Sequence, residues 1–264
     1  MAHIVQVGAG SGGMPVLDLV IRDARVTAIT LIEPDVYKEH NVVRHLFPAS
    51  GVGQLKVDLA RRWVADFRPD VAFQGLAVDL CDPAQAPQIA EAVARADLGI
   101  CAADNEIAKH HFNQLMLEQQ KPWTLGEVLA GGIGGFVHRF VPGGACYGCV
   151  ASFLKRSVTT EVSRVPDYSQ PAGGAETSIP ASKAAISVIA SLHAQITLAQ
   201  LDAGFDPGFT SLLLALQKAA GIFDEAYRPF KFRVPRGEAC LLCRTGGVDD
   251  LDRRLDEALE RLSP

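Results

Sequence analysis

Residues 7–13 of the chain read VGAGSGG. It places Gly8, Gly10 and Gly13 in the spacing G-x-G-x-x-G, between an apolar stretch and a helical pattern. A glycine loop there lets backbone N–H groups and the N-terminus of a helix face an anion. Glu33 ends the next predicted strand, where an acidic side chain can accept hydrogen bonds from ribose hydroxyls. The pattern predicts a bound nucleotide, NAD or ATP, against the alternative of a tight turn that binds nothing.

Residues 1–130 alternate between strand and helix patterns. We predict strands at residues 3–7, 26–32, 71–80, 97–102 and 123–129, and helices at 14–23, 53–67, 83–95 and 105–119. Strands separated by helices of this length predict an α/β fold with a doubly wound, Rossmann-like parallel sheet.

The pattern changes after residue 131. We predict an antiparallel strand within GGIGGFVHRFVPGG (residues 131–144), a long loop at 152–178, a helix at 181–203, strands at 209–216 and 227–234, and a helix at 249–262. We therefore expect one domain over residues 1–264, with a nucleotide-binding half at 1–130 and a second half at 131–264.

The composition narrows the class of protein. The chain has 264 residues, of which 48% are hydrophobic and 21% charged, and its formal net charge is -5. An acidic balance gives no electrostatic reason to expect nucleic acid or an anionic membrane as partner. No targeting segment precedes the first strand, so we expect a cytoplasmic protein with reduced cysteines.

Cationic side chains follow Glu33 in the sequence and favour ATP over NAD. Asn41 and Arg44 are three residues apart, and Lys56 follows in the segment GQLK. Arginine and lysine at the strand ends would neutralise a triphosphate, whereas hydride transfer to a nicotinamide needs little positive charge. Taken singly, Arg44 and Lys56 could also be ordinary surface charges.

Asp104 follows the strand predicted at 97–102, at the edge where open α/β sheets bind ligands. A carboxylate that faces a triphosphate is a suitable Mg²⁺ ligand. The alternative role is an N-cap for the helix that begins near Asn105, and one carboxylate could serve both.

Two C-x-x-C pairs, Cys146 with Cys149 and Cys240 with Cys243, are the strongest local signal. Four thiolates in two knuckles match a tetrahedral structural Zn²⁺ site. Four unrelated thiols or two disulfides are the alternatives. We expect the remaining cysteines, Cys81 and Cys101, to be core residues.

With these residues in order, the chain resembles the ThiF/MoeB/HesA family, bacterial relatives of the ubiquitin-activating enzymes. The resemblance covers nearly the whole length. It rests on the glycine loop, Glu33, the N-x-x-R pair, the G-x-x-K lysine, the D-N step at Asp104 and both C-x-x-C pairs. A small-residue helix with Gln195 lies between the two cysteine pairs, as in the family.

The resemblance implies adenylation of the C-terminal glycine of a small ubiquitin-like or sulfur-carrier protein, with Mg-ATP as co-substrate and pyrophosphate as product. It implies that the glycines approach the nucleotide and that Glu33 holds the ribose. Asn41, Arg44 and Lys56 would orient the phosphates and stabilise charge, and Asp104 would carry Mg²⁺. It also implies a homodimer.

Three departures from the family pattern stand out. Ser11 occupies a position where the family usually has a further glycine. The family normally has a helix before the first strand, with an arginine that reaches the partner subunit's ATP. Here the first predicted strand is already at residues 3–7, so we expect that arginine to come from another chain, from another domain, or from nowhere. The crossover loop, residues 152–178, has no cysteine for a covalent intermediate.

Two other functions remain open at this stage. A non-catalytic member could bind nucleotide or carrier without chemistry, a reading that the departure at the N-terminus favours. An NAD-dependent oxidoreductase would use Glu33 but leave Arg44, Lys56 and the paired cysteines unexplained.

Overall fold

The fold is given by a computed structural model, in which residues 1–154 and 181–243 are described. The strands are β1 (Ala2–Val7), β2 (Val26–Ile32), β3 (Ala72–Leu76), β4 (Leu98–Cys101), β5 (Trp123–Val128), β6 (Gly134–Phe140), β7 (Ser211–Ala215) and β8 (Pro229–Phe232). The α-helices are α1 (Gly13–Val20), α2 (Lys56–Phe67), α3 (Ala86–Arg95), α4 (Glu106–Glu118), α5 (Tyr147–Phe153) and α6 (Lys183–Ala199).

All eight strands form one sheet in the order β3-β2-β1-β4-β5-β6-β7-β8. The pairs from β3 to β5 are parallel, and those from β5 to β8 are antiparallel. The strand order reverses between β1 and β4, the switch point at which doubly wound sheets bind ligands. The predicted parallel sheet that continues into antiparallel strands is confirmed.

Helices cover both faces of the sheet, and β1 shows why. Its side chains alternate, so that Ile4 packs with α1, α2 and α6 on one face while Val5 packs with α3, α4 and α5 on the other. Parallel strands buried on both faces read as continuous apolar runs, as β1 and β2 do. The described part of the chain contains no helix that is long and apolar enough to cross a membrane.

Several predicted boundaries were wrong. Helix α2 begins at Lys56 rather than at residue 53, because Gly53 has a φ of 87° that no right-handed helix accommodates. Helix α5 was not predicted, although it occupies the first two residues of the loop assigned to 152–178. The rest of that loop, from residue 155, and the helix predicted at 249–262 lie outside the described residues.

Candidate active site and metal centre

A cleft of about 1260 Å³ opens at the carboxyl ends of β1, β2, β4 and β5. Its lining brings together six of the predicted site residues: Gly8, Gly10, Glu33, Arg44, Lys56 and Asp104. Gly13 and Asn41 are not among the residues that line it. Six of the eight predicted binding positions therefore line one cleft, and the other two lie outside its lining.

The three positions of the loop are occupied by glycine for different structural reasons. Gly8 has a φ of 93°, and a Cβ there would lie 2.8 Å from the carbonyl oxygen of Ala102. A Cβ on Gly13 would lie 2.3 Å from the carbonyl oxygen of Gly8, so α1 can approach β1 only with glycine there. Gly10 has no atom within 4 Å of its built Cβ position. Gly10 thus presents open backbone to the cleft, whereas Gly8 and Gly13 are required by packing.

Two buried polar side chains that the sequence reasoning missed hold this loop. The Gln6 Nε2 donates to the carbonyl oxygens of Gly8 and Gly13, at 2.9 Å each. His45 Nδ1 accepts from the N–H of Phe47 at 3.2 Å, which leaves Nε2 to donate to the Ala9 carbonyl at 2.8 Å. Burial lowers the pKa of His45 to about 4, so it is a neutral donor at pH 7. The sequence feature that could have revealed Gln6 is its position as a polar residue inside an apolar strand.

Glu33 is buried beneath the loop and binds the protein's own backbone. Its Oε2 accepts from the Ala9 N–H at 2.6 Å, and its Oε1 accepts from the Asp35 N–H at 3.0 Å. Burial raises the pKa of Glu33, while the nearby Lys56 ammonium opposes that rise. The carboxylate that the sequence assigns to ribose therefore ties the glycine loop to the end of β2.

Lys56 is buried at the start of α2 between two carboxylates. Its Nζ lies 2.8 Å from Asp35 Oδ2 and 3.4 Å from Glu33 Oε1. The Asp35 side chain also lines the cleft and is more than half exposed. Asp35 was not predicted as a site residue, although the segment EPD has this second acid two residues after Glu33.

Arg44 lines the cleft, and Asn41 shapes the turn that carries it. Asn41 Oδ1 accepts from the Lys38 N–H at 3.0 Å, and its carbonyl oxygen accepts from the N–H groups of Arg44 and His45. The N-x-x-R spacing is thus the spacing of a 3₁₀ turn that presents the arginine.

Asp104 is exposed in the cleft between β4 and α4. The alternative that it caps α4 is wrong, because Asn105 is the N-cap and its Oδ1 accepts from the Ala108 N–H at 2.7 Å. An exposed carboxylate on the cleft wall is a donor of the kind that Mg²⁺ prefers.

A charge network around the buried Lys109 was not predicted, and its members Lys109 and Glu127 also line the cleft. Lys109 Nζ lies 2.6 Å from Glu127 and 2.7 Å from Glu106, and the second oxygen of Glu127 is 2.9 Å from His138 Nε2. Burial disfavours the charge on Lys109, but the two carboxylates outweigh it and raise its pKa. Glu106 and Lys109 lie one turn apart on α4, but Glu127 and His138 come from β5 and β6, so no local pattern could reveal the whole network.

The four predicted metal ligands form one cluster. All four Sγ atoms lie within 4.8 Å of one another, with 3.6 Å between Cys146 and Cys240 and 3.5 Å between Cys149 and Cys243. A disulfide needs about 2.05 Å, whereas a tetrahedron of thiolates around Zn²⁺ has edges of about 3.8 Å. Donor set and spacing therefore fit a Zn²⁺ ion and exclude paired disulfides in this structure.

The two other cysteines lie outside this cluster. Cys101 is fully buried, and burial raises its pKa to about 12. Cys81 is half-buried, packs against the same core and also has a raised pKa through burial. The expectation that both are core residues is confirmed for Cys101, and Cys81 lies at the edge of the core.

Solved structures of E. coli MccB share this fold. E. coli MccB with ATP matches at a TM-score of 0.67 and 17% identity, over 92% of this chain and 66% of that chain. E. coli MccB with AMPCPP and selenomethionine MccA matches at 0.69 and 18%, over 92% and 66%. The microcin C7 biosynthetic enzyme MccB with N-formylated MccA matches at 0.68 and 17%, over 92% and 67%.

The chain thus spans about two thirds of the length of these structures. A search of curated proteins by sequence finds no significant match. The family model described as "ThiF family" matches residues 1–227, which is most of the chain. The chain belongs to the ThiF family.

Proposed function

We propose that the protein adenylates the C-terminal carboxylate of a small protein or peptide with ATP, releasing pyrophosphate. One observation carries the proposal: open glycine backbone, the cations Arg44 and Lys56, and the exposed Asp104 carboxylate line the same cleft. Membership of the ThiF family and the fold shared with MccB, which has been solved with ATP, support an enzyme of the adenylyltransferase type.

The reaction needs positioning and charge stabilisation rather than a covalent enzyme intermediate. An oxygen of the acceptor carboxylate attacks the α-phosphorus, and the bond from that phosphorus to the bridging oxygen of the β-phosphate breaks. Lys56 and Arg44 face the phosphates and stabilise the charge that develops there. The open backbone at Gly10 admits the nucleotide, and Glu33 keeps the loop in place through its hydrogen bond from the Ala9 N–H.

Two metal ions belong to the proposal. Mg²⁺ on Asp104 would neutralise the phosphates when bound, a role that suits an exposed carboxylate at the end of β4. Zn²⁺ held by Cys146, Cys149, Cys240 and Cys243 would be structural, since all four ligands come from the protein.

The acceptor we favour is a ubiquitin-like or sulfur-carrier protein that ends in glycine. A short peptide is the second candidate, because the similar MccB structures were solved with the MccA peptide. We also propose that two copies of the chain form a homodimer. A non-catalytic partner role is disfavoured by the joint placement of Arg44, Lys56 and Asp104 in the cleft.

Pyrophosphate exchange tests the proposal directly. Purified protein is incubated with Mg-ATP and labelled pyrophosphate, against a panel of proteins that end in Gly-Gly and a panel of short peptides. Exchange that depends on one acceptor, and on its free C-terminal carboxylate, is the expected result. Binding of NAD in preference to ATP, or ATP binding without exchange across both panels, would contradict adenylation.

A further inference from the structure

Lys38 is a cation of the cleft lining that the proposed reaction has not yet used. The residue lines the cleft and is exposed, so a ligand in the cleft can reach it. The ion pairs between described residues do not include Lys38. Its charge is therefore available to an anion that enters from solvent.

The charge balance of the cleft lining shows why such a cation matters. Five acidic and four basic side chains are among the described residues that line the cleft. Lys56 and Lys109 are each paired with carboxylates of the same lining, at 2.6–3.4 Å. Their charges are already compensated, whereas Lys38 can meet a polyanion without breaking an ion pair.

The turn between Tyr37 and His45 fixes the position of Lys38 beside the glycine loop. Both ring side chains are buried, and their centroids lie 5.0 Å apart. His45 Nε2 donates to the carbonyl oxygen of Ala9, in the glycine loop, at 2.8 Å. Lys38 directly follows the first of these two anchors, and Arg44 directly precedes the second. Both cations thus extend from a turn that is fastened to the glycine loop.

Asn41 holds these two cations on one turn. Its Oδ1 accepts from the Lys38 N–H at 3.0 Å, and its carbonyl oxygen accepts from the Arg44 N–H at 3.1 Å. Both cationic residues line the cleft. Cationic side chains form strong, charge-assisted hydrogen bonds with phosphate oxygens, and two of them on one turn suit a chain of phosphates better than a single one.

We propose that Lys38 binds the β- and γ-phosphates of ATP, which leave together as pyrophosphate. The inference rests on the proposed function, because it takes a nucleoside triphosphate as the ligand of the cleft. The terminal phosphates are chosen because Lys38 is exposed whereas Lys56 is buried. Lys38 therefore lies nearer to solvent, into which pyrophosphate is released.

The test compares the affinities of ATP and AMP. Dissociation constants are measured by calorimetry with Mg²⁺ present for wild type and K38M, whose side chain keeps the length and apolar stem of lysine. We expect K38M to bind ATP about 10-fold more weakly, since a hydrogen bond to a charged group is lost, and AMP within about 2-fold of wild type. K38R should recover most of the affinity for ATP.

The salt dependence of the same measurement separates a charge effect from a change of shape. Because Lys38 is exposed, added salt should screen its attraction for the phosphates. The ratio between the ATP affinities of wild type and K38M should therefore be smaller at about 0.5 M NaCl than at about 0.05 M. K218M, which removes an exposed lysine outside the cleft lining, is the matched control and should bind ATP as wild type does.

Melting without nucleotide separates a binding role from a structural one. An exposed side chain without an ion pair contributes little to stability, so K38M and wild type should melt within about 2 °C of each other. The increase in melting temperature produced by Mg-ATP should be smaller in K38M than in wild type.

Equal losses for ATP and AMP, unchanged ATP affinity in K38M, or a loss that K218M shares would each overturn the assignment. The measurement requires no turnover. Wild type that binds Mg-ATP but shows no exchange with any acceptor contradicts the proposed adenylation, and the comparison of ATP with AMP still decides the role of Lys38. Wild type that does not bind Mg-ATP overturns both.

Discussion

The glycine loop and the cysteine cluster are both sharp local structures, but they are held in opposite ways. The loop is bound by side chains of the protein itself: Gln6, Glu33 and His45 together satisfy backbone groups of residues 8, 9 and 13. The cysteine cluster joins segments 94 residues apart through sulfur atoms that lie 3.5 and 3.6 Å from each other, and it has the donor set and spacing of a metal site. A self-supported loop keeps its form without ligand, whereas we propose that a metal ion holds the cluster.

Loss of a cysteine ligand should therefore have the largest effect on stability. We expect purified protein to contain about one Zn²⁺ per chain, and Cys149→Ser to lower both the metal content and the melting temperature, the latter by on the order of 10 °C. Elemental analysis and thermal unfolding measure the two quantities. The matched control is Cys81→Ser, which removes a half-buried thiol outside the cluster.

Metal-free wild-type protein with the same melting temperature as a zinc-loaded sample would show that the cluster is self-supporting after all. The difference between the two regions would then disappear. Chelation should lower the melting temperature but have little effect on the affinity for ATP, since the loop has its own supports.

Charge removal in the cleft should have the next largest effect, on catalysis. Lys56→Ala and Asp104→Ala should each reduce pyrophosphate exchange by about 100-fold or more, as expected when a preorganised charge is removed. Their effects on folding should differ. Lys56 is buried against Glu33, so its loss leaves a buried carboxylate unpaired and lowers the melting temperature, whereas Asp104 is exposed.

Steady-state exchange rates and thermal unfolding of both variants check this, with Lys218→Ala as the control. Near-normal exchange in both variants would place the phosphates elsewhere. An equally large drop in melting temperature for Asp104→Ala would contradict its exposed position on the cleft wall.

One of the side chains that support the glycine loop, His45, should lower the stability of the fold at acid pH. The folded pKa of His45 is about 4, below its ordinary value near 6.5, so the unfolded chain binds more protons between these values. Stability should fall as the pH drops through 6.5 and level off near 4. At pH 5 this group alone accounts for about 2 kcal/mol relative to pH 8.

His45→Gln isolates this contribution, because the amide nitrogen of glutamine can still donate to the Ala9 carbonyl. Urea unfolding at pH 5 and pH 8 should show a smaller difference in the variant than in wild type, by about 2 kcal/mol. His193 also has a lowered pKa, about 3, through burial, so some acid sensitivity remains in His45→Gln. A change as large in the control His111→Gln would remove the assignment to His45.

The sequence predicted the parts of the site that lie close together in the chain. The spacing of Gly8, Gly10 and Gly13 and the two C-x-x-C pairs are local patterns with one dominant structural use each. The doubly wound parallel sheet also followed, because the alternation of strand and helix over residues 1–130 permits few topologies, but the strand order came from the structure. Helix ends were less well predicted where a single backbone angle decided them, as at Gly53.

The supports of the site were not predictable, since they depend on tertiary contacts. His45 and Ala9 are hydrogen-bonded although they are 36 residues apart in the sequence, and Lys109 and Glu127 are paired although they are 18 residues apart. A histidine or a lysine in isolation has no pattern that distinguishes a buried partner from a solvated charge. Glu33 shows the same limit: the strand pattern predicted its location at the end of β2, but not its hydrogen bond from the Ala9 N–H.

The smallest expected effect concerns covalent chemistry. We expect no covalent bond between the acceptor and either the cysteine cluster or the region of the glycine loop. A thioester with the acceptor needs an accessible thiolate beside the adenylate. The cysteine cluster should hold its four sulfurs on Zn²⁺. On the side of the loop, Cys101 is fully buried near Ala102, and burial raises its pKa to about 12, so it stays a protonated thiol. Residues 152–178 contain no cysteine.

We therefore expect the acyl-adenylate to pass directly to an external nucleophile on another molecule. Incubation of wild-type enzyme with Mg-ATP and its acceptor, followed by a non-reducing gel, should show no band of enzyme joined to acceptor. Cys101→Ala should leave the exchange rate within about 2-fold, because it removes a buried atom and no reacting group. A joined band that disappears with thiol reductant and is absent in Cys101→Ala would mean that the β4 strand end opens during turnover. The loop would then be less self-supporting than its hydrogen bonds to Gln6, Glu33 and His45 indicate.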